Sequence, residues 1–279
     1  MSTIETLRRA AACAAAGAVL LWAAESALAA EEVTGAEVVQ RCELDKDPGE
    51  DQKSTLTVIL RDAQGNERRS IYRRYWKAYH GKRGLQDKMV IFTRFPADQR
   101  GTAFMRWGYL PEKRKPPEQW LYLPSLNTVR RVSQRDPADS FLTSDLAYWD
   151  INDRRLEDDE HRLLRVEEKD GATYYVVESV PKERDAPYSK RVQWFRQGED
   201  GWDGCVKTRI EYYGPSGSLV KTQDIEWQQV SGAWVWKRVE VENVKTHHRS
   251  IFEVSDVEVN TGLRDRVFTE RTLRRGVRD

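Results

Sequence analysis

Residues 54–76 read STLTVILRDAQGNERRSIYRRYW, and this stretch decides the fold class. Leu56, Val58 and Leu60 recur with a period of two, which is the spacing of a half-buried β-strand. The run stops at DAQGN, residues 62–66, whose turn formers predict a hairpin into a second strand over Arg68–Trp76. Similar runs continue to residue 259 and total about eleven strands, with turns spaced as in antiparallel meanders. The chain is therefore predicted to be mainly β.

Helical patterns are few. The best candidates are Glu32–Glu43 and a short C-terminal segment near Phe268–Arg275. No linker rich in Pro, Gly or Ser interrupts the middle of the chain, so residues 30–279 are predicted to form a single domain. So many strands with so few helices must form a sandwich or curve around an interior.

Composition excludes several classes of protein. The 279 residues include 46 Lys and Arg against 45 Asp and Glu, a net charge of +1 that argues against nucleic-acid binding. A mean hydropathy of −0.75 argues against a protein with many membrane spans. With 10 Trp, 11 Tyr and 7 Phe, the chain can build a real core.

The first 29 residues have the organisation of a secretory signal peptide. Arg8 and Arg9 precede an apolar run over residues 10–24, and Ala27 and Ala29 supply the small residues of a cleavage site. The run of fifteen residues is shorter than the roughly 20 that cross a bilayer. Cleavage after Ala29 and export to the periplasm are predicted, by either the general secretory or the twin-arginine route.

Two cysteines remain after that cleavage. Cys42 and Cys205 would lie in an oxidising compartment, where two thiols can pair. The two cysteines either form a disulfide or remain separate buried thiols, and the sequence leaves both interpretations open. The chain has no C-x-x-C motif, so neither a thioredoxin-type site nor a cysteine-based zinc site is indicated.

Bulky aromatic residues recur on several predicted strands and could form the walls of an apolar cavity. From alternation alone, the residues predicted to face such a cavity and bind lipid are Trp107, Tyr109, Trp120, Tyr122, Trp194, Trp227, Trp234 and Trp236. The alternative is that the same rings fill an ordinary core, and their number does not decide between the two.

Motifs that carry catalysis are absent from the sequence. There is no G-x-S-x-G, no phosphate-binding loop and no H-E-x-x-H, and adjacent His247 and His248 would point to opposite faces of a strand. The acidic run 157–160 and the basic run 68–74 are each predicted to be solvated faces. The alternatives are a bound cation at the acidic run and a contact with a partner or a lipid head group at the basic run. No metal, no cofactor and no enzymatic activity are predicted.

Residues 136–150, DPADSFLTSDLAYWD, stand apart because they mix turn formers with large apolar side chains. Such a loop is too apolar to be solvated, and it is predicted to pack over the sheet as a plug or gate. The candidate gate residues are Phe141, Leu142, Leu146, Tyr148 and Trp149.

Several segments, taken in order, resemble one known family. WLYLP, VRRV and SFLTSD closely resemble the signature of the outer-membrane lipoprotein-sorting protein family, which is related in fold to the periplasmic carriers LolA and LolB. The matching segments are residues 95–104, 120–124, 129–132, 140–145, 174–179, 221–222 and 260–263. Leu146 and Trp149 depart from the pattern, since that family usually has Phe and Glu there.

The resemblance implies an incomplete, strongly curved antiparallel β-barrel, wrapped around a helical or loop plug, with an apolar cavity for acyl chains. It also implies a periplasmic location beside lipid-exporting transporters of the resistance-nodulation-division (RND) type. The predicted function is a carrier that moves the acyl chains of a lipid or lipoprotein between envelope membranes. The alternative is a non-transporting accessory or interaction protein of an envelope lipid-export complex; an enzyme acting on envelope lipid has no recognisable catalytic site.

Overall fold

The computed structural model of the protein describes residues 33–113, 115–132, 138–152 and 154–277. The strands are β1 (Asp51–Arg61), β2 (Glu67–Ala78), β3 (Leu85–Phe95), β4 (Ala103–Tyr109), β5 (Glu118–Leu123), β6 (Thr128–Val132), β7 (Asp159–Lys169), β8 (Ala172–Pro181), β9 (Lys190–Gly198), β10 (Gly201–Tyr213), β11 (Leu219–Val230), β12 (Ala233–Asn243) and β13 (Arg249–Val259). The helices are α1 (Gly35–Val39), which continues as a π-helix over Gln40–Leu44, α2 (Tyr148–Ile151) and α3 (Glu270–Arg275). Short 3-10 turns occupy Lys82–Gly84, Ala97–Gln99, Pro111–Lys113, Pro124–Leu126, Phe141–Thr143, Leu156–Asp158 and Asp265–Val267.

All thirteen strands belong to one sheet of antiparallel pairs. The order is β6-β5-β4-β3-β2-β1-β13-β12-β11-β10-β9-β8-β7, so two meanders meet where the first strand pairs with the last. Within the described residues β6 and β7 each have one strand neighbour, and the curved sheet is open. The predicted fold class, an incomplete and curved antiparallel barrel, is confirmed.

The predicted hairpin is present, with β1 and β2 in register from Asp51↔Lys77 to Arg61↔Glu67. Asp62 closes the turn because its Oδ1 accepts hydrogen bonds from the backbone N–H groups of Gln64 and Asn66. The predicted total of about eleven strands is lower than the thirteen of the structure. No predicted strand covers β7, whose apolar positions are interrupted by charged residues. As an edge strand, β7 has less need of a continuous apolar pattern than a central strand.

Cross-strand neighbours divide the side chains of the sheet between two faces. We call the face that carries Leu56, Val58 and Phe252 the inner face; residues 138–152 pack against it. The opposite, outer face carries Val90 and Met105 among its buried residues.

Helix α1 covers the inner face at the β7–β10 end of the sheet. Val38 and Cys42 pack there with Phe195 and Cys205, and a disulfide joins Cys42 to Cys205 across a Cα–Cα distance of 4.8 Å. Gly35 allows the close approach, because a Cβ atom there would lie 2.6 Å from the backbone nitrogen of Leu163. The helix predicted over residues 32–43 is thus a five-residue α-helix that widens into a π-helix.

The C-terminal segment covers the outer face. Leu263, Val267, Phe268 and Leu273 are buried against β3, β4 and β5, so the predicted C-terminal helix is present as α3. Asp51 fixes the start of this segment: its carboxylate accepts backbone hydrogen bonds from residues 261, 262 and 263 at 2.8–2.9 Å. No helix in the described ranges is both long and apolar enough to cross a membrane.

Candidate functional site

The candidate gate residues lie against the sheet, and most of them are buried. Phe141, Leu146, Tyr148 and Trp149 are each at most 8% exposed, and Leu142 packs against the same cluster. The rings of Phe141 and Tyr148 meet edge to face at 5.7 Å. Residues 136 and 137 of this loop lie outside the described residues. The described part, 138–152, fills one end of the inner face as a plug.

A buried ion pair ties this plug to β11. Lys221 Nζ bonds to Asp150 Oδ2, donates to Tyr188 Oη at 2.6 Å, and donates to the backbone oxygen of Asp145 at 3.2 Å. Both charged side chains are almost completely buried, at 7% and 0% exposure. Burial lowers the pKa of Lys221, and the neighbouring Asp150 opposes that effect. Lys221 thus uses all three of its donors on the plug and on Tyr188.

A second set of polar contacts holds the middle of the plug to β13. Asp145 Oδ2 lies 2.6 Å from His248 Nδ1 and accepts a hydrogen bond of 2.6 Å from Ser250 Oγ. The backbone N–H of Asp145 donates to the same serine oxygen at 2.9 Å. The SFLTSD motif and Lys221, which lie far apart in sequence, therefore meet in space.

Trp149 anchors the end of the plug. Its ring meets that of Tyr188 at 5.3 Å, and Arg154 lies 4.2 Å from its centroid. Arg154 also pairs with Asp159 at 2.8 Å, and Arg191 pairs with the same carboxylate at 2.6 Å. The prediction that residues 157–160 are a solvated run is therefore wrong for Asp159, which is 4% exposed because two arginines compensate its charge.

Beside the plug, the inner face encloses a cavity of about 290 Å³. Among the predicted aromatic residues, Trp227, Trp234 and Trp236 line it, and the rings of Trp227 and Trp234 meet edge to face at 6.5 Å. Phe141 and Ile151 close it from the plug. The sheet completes the apolar wall with Leu56, Trp76, Met89, Ile91, Val235, Phe252 and Val254.

One end of the cavity is polar and is formed by Gln52, Arg74, Asp87 and Arg106. Arg106 Nη1 donates to Asp87 Oδ1 at 2.8 Å, and Trp76 Nε1 donates to Asp87 Oδ2 at 3.3 Å. Arg74 Nη1 donates to Gln52 Oε1 at 2.7 Å. Burial lowers the pKa of Arg74 to about 10, with Asp87 opposing the shift, so the guanidinium is charged at neutral pH.

Sequence reasoning missed this polar end. It assigns Arg74 to a solvated basic face, whereas Arg74 shares the inner face with Tyr72 and Trp76, two residues away on either side. Alternation along β2 places Tyr72, Arg74 and Trp76 on the same face of the strand. Tyr72 pairs with Leu56 of the inner face, so all three side chains face inward.

Three of the predicted lipid-binding residues lie on the outer face instead. Trp107, Trp120 and Tyr122 pack with the C-terminal segment, and the rings of Trp107 and Trp120 lie 4.9 Å apart. There they form part of a core that Leu273 and Phe268 cover.

The two remaining predicted residues also lie away from the cavity. Lys115 Nζ lies 3.8 Å above the ring of Tyr109. Trp194 alternates with Phe195, which packs under α1, so Trp194 faces the other side of the sheet and donates to Glu167 at 2.9 Å. Among the described residues, no group of three His, Cys, Asp or Glu side chains is placed to hold a metal ion.

The structure is similar to several solved protein structures. A domain from Vibrio parahaemolyticus, whose name refers to outer membrane lipoprotein sorting, is 27% identical, with a TM-score of 0.71 over 86% of this chain and 98% of that one. A DUF1329 family protein from Desulfovibrio piger is 26% identical, with a TM-score of 0.72 over 86% and 97%. A LolA superfamily protein from Nitrosomonas europaea shares the fold at 22% identity, with a TM-score of 0.61 over 86% and 99%.

A search of curated protein sequences finds no significant match. A protein-family profile described as "Uncharacterized protein" matches residues 85–275, which is more than half of the chain. That region runs from β3 to α3 and contains both the plug and Lys221. The chain therefore belongs to the family that this profile defines, and its fold is that of the outer membrane lipoprotein-sorting and LolA superfamily domains.

Proposed function

We propose that the protein is a periplasmic carrier that shelters an acyl chain of a lipid or lipoprotein in the inner-face cavity. The observation that carries the proposal is the cavity itself, about 290 Å³ in volume and walled by Trp227, Trp234 and Trp236. Moving an acyl chain from water into such a space gains about 0.8 kcal/mol per CH₂ group. Binding of this kind needs no catalytic group.

The size of the cavity assigns a role to the plug. Ligand pockets commonly range from about 300 to 1,000 Å³, so the cavity as it stands takes only part of a long chain. Phe141 and Ile151 close the cavity from the plug. Displacing residues 138–152 would uncover Val58, Ile210 and the rest of the apolar cluster, so the plug acts as the gate.

A periplasmic site of action is part of the proposal. The Cys42–Cys205 disulfide supports it, because such bonds persist mainly in oxidising compartments. The similarity to a domain named for outer membrane lipoprotein sorting supports an envelope role. The predicted signal peptide over residues 1–29 lies outside the described residues.

Native mass spectrometry of protein purified from the periplasm tests the proposal. A carrier is expected to retain a bound lipid or acylated peptide in mild detergent-free buffer, and to exchange it for an added fatty acid. Protein that carries no lipid and takes up no added acyl chain would contradict the carrier function.

A non-transporting accessory protein of an envelope lipid-export complex, with an RND-type transporter as its partner, is the second candidate. One observation favours it: the plug buries Phe141, Leu146 and Trp149 and is held by the Lys221–Asp150 pair, so much of the inner face is already filled. In that case the same mass spectra would show a stoichiometric protein partner and no lipid.

A further inference from the structure

The polar end of the cavity contains two guanidinium groups and one carboxylate among its described lining residues. Arg74 and Arg106 are cationic and Asp87 is the anion that lines the same end. Asp87 is already engaged, because Arg106 lies 2.8 Å from its Oδ1 and Trp76 donates to its Oδ2. Asp87 is therefore occupied by these two neighbours, in surroundings that are otherwise mostly apolar.

Arg74 is bound differently from Arg106, because its hydrogen-bond partner is an uncharged amide. Within the part of the chain that the structure describes, no carboxylate oxygen lies within 4.0 Å of its guanidinium. Its hydrogen bond goes to Gln52 Oε1, and Gln52 is itself held in place because its Nε2 donates to the backbone oxygen of Pro48 at 2.7 Å. A guanidinium has five N–H donors, so Arg74 retains donors for a ligand.

A second unused donor lies beside it. Ser54 is the direct cross-strand neighbour of Arg74 in the β1–β2 pair, and such neighbours place their Cβ atoms about 4.5–5.5 Å apart. The hydroxyl of Ser54 is completely buried and makes no hydrogen bond to the described protein atoms. Buried polar groups without partners are rare in folded proteins, and each needs a physical reason.

An anion at the polar end of the cavity would take up the free donors of Arg74. Ser54 lies on β1 between the lining residues Gln52 and Leu56 but does not itself line the cavity, so its hydroxyl would reach the anion only after a small shift of the wall.

We propose, resting on the carrier function above, that the cavity selects amphiphiles with an anionic head group, and that Arg74 binds this head group. The head group is a carboxylate or a phosphate, both of which a guanidinium binds with two parallel hydrogen bonds. The acyl chain extends from there along Trp236 and Trp227 toward Phe141.

The test compares two ligands with the same chain, tetradecanoate and its uncharged N-methyl amide, each below its critical micelle concentration. Dissociation constants come from displacement of a fluorescent acyl probe, and inorganic phosphate without a chain is a third competitor. The proteins are the wild type, Arg74→Met, Arg74→Lys and the control Arg69→Met, which removes an exposed charge from the same strand.

We expect the wild type to bind tetradecanoate about tenfold to a hundredfold more tightly than the amide, the range given by hydrogen bonds to charged groups. Arg74→Met should abolish this ratio while retaining binding of the amide. Arg74→Lys should retain part of this affinity ratio, and Arg69→Met should retain all of it. Inorganic phosphate alone should displace the probe only weakly, because it lacks the chain.

The outcomes separate this inference from the proposed function. Equal affinity of the wild type for the two ligands, or a ratio that survives in Arg74→Met, overturns the role of Arg74 and leaves the carrier function standing. If inorganic phosphate displaces the probe as strongly as tetradecanoate does, the site binds a free anion, and the proposed selection of amphiphiles is wrong. Failure of both amphiphiles to bind the wild type overturns the carrier function itself. If Arg74→Met does not fold, the wild-type ratio and Arg74→Lys still decide the question.

Discussion

Lys221 is the residue through which the sheet holds the plug. Its ammonium group reaches Asp150, Tyr188 and the backbone of Asp145, and the Asp150 carboxylate has no exposed surface. A buried ion pair adds little over an apolar pair of the same shape, but removing one partner strands the other charge. The pair therefore specifies the position of the plug more than it adds net stability.

Lys221→Met is expected to lower the free energy of unfolding by about 3–5 kcal/mol, because Asp150 would remain buried without its counter-ion. Adding Asp150→Asn should recover part of that loss. Urea unfolding measures both, and Lys237→Met is the control, since Lys237 is 63% exposed and its contact with Glu226 is 3.7 Å. A loss in Lys221→Met no larger than in the control would show that the pair does not hold the plug.

His161 makes stability depend on pH. Burial lowers its pKa below the ordinary 6.5, with Asp159 opposing the shift, and both ring nitrogens lie at hydrogen-bond distance from Ser179 Oγ and the backbone oxygen of Leu156. The unfolded chain takes up a proton near pH 6.5, whereas the folded protein does so only at lower pH. Stability from this group is therefore complete above pH 6.5 and is lost as the pH falls toward the folded pKa.

We expect the free energy of unfolding of the wild type to decrease between pH 7.5 and pH 5. The decrease should be smaller in His161→Gln, which cannot take up the proton. Chemical unfolding at several pH values measures the two slopes, and His247→Gln, which changes a histidine that is 70% exposed, is the control. Identical slopes in the wild type and His161→Gln would rule out this source of pH dependence.

Among the elements, residues 138–152 have two ends with different surroundings. Phe141 lines the cavity, whereas Trp149 packs away from it, against Tyr188, Arg154 and Arg191. The plug is thus both a wall of the ligand site and a part of the core.

Replacing these two aromatic residues should separate the two roles. Phe141→Ala is expected to weaken acyl-chain binding by more than its loss of stability explains, because it removes part of the cavity wall. Trp149→Ala should mainly lower stability, by about 3–5 kcal/mol. Probe displacement and thermal unfolding measure the two effects, with the exposed Leu126→Ala as control. Proportional losses of binding and stability in both variants would mean that the plug is core only.

Alternation in the sequence predicts which residues share a face, but not which face is which. Trp107, Trp120 and Tyr122 share one face of the sheet, but the C-terminal segment, rather than the plug, covers that face. The choice of face depends on what packs against it, and that packing is between distant parts of the chain. Strand β7 escapes prediction for a related reason, since neighbouring elements determine its pairing more than its own apolar pattern does.

The motif over residues 140–145 indicates the plug from the sequence alone, because such an apolar loop needs a cover. Its partner Lys221 is recognisable in the sequence only as part of a family resemblance. The ion pair with Asp150 bridges β11 and the plug and has no local signal. Arg74 is similar: a basic cluster is visible in β2, but only the register with β1 places one of its members inside.

At the scale of the whole molecule, the described strands form one sheet, and its centre differs from its edges. β1 and β13 lie in the middle, whereas β6 and β7 are the edges and carry charged residues such as Arg130 and Arg131. Charges on an edge strand discourage pairing with another molecule.

Hydrogen exchange measured by mass spectrometry should follow this order. Amides of β6 and β7 are expected to exchange through local opening, and those of β1 and β13 only through global unfolding. Reduction of the Cys42–Cys205 disulfide should speed exchange in β10 and the π-helix before it affects β1. Uniform exchange across all strands would show instead that the sheet opens as a single unit.

The pairing of β1 with β13 has a consequence for how the chain folds while it is being synthesised. A polypeptide that emerges amino terminus first exposes Leu56, Val58 and Leu60 long before Arg249–Val259 has appeared. During that interval β1 lacks its β13 neighbour, so the centre of the sheet cannot be completed. Loss of β13 would divide the sheet at its middle, whereas loss of β6 would remove only an edge strand.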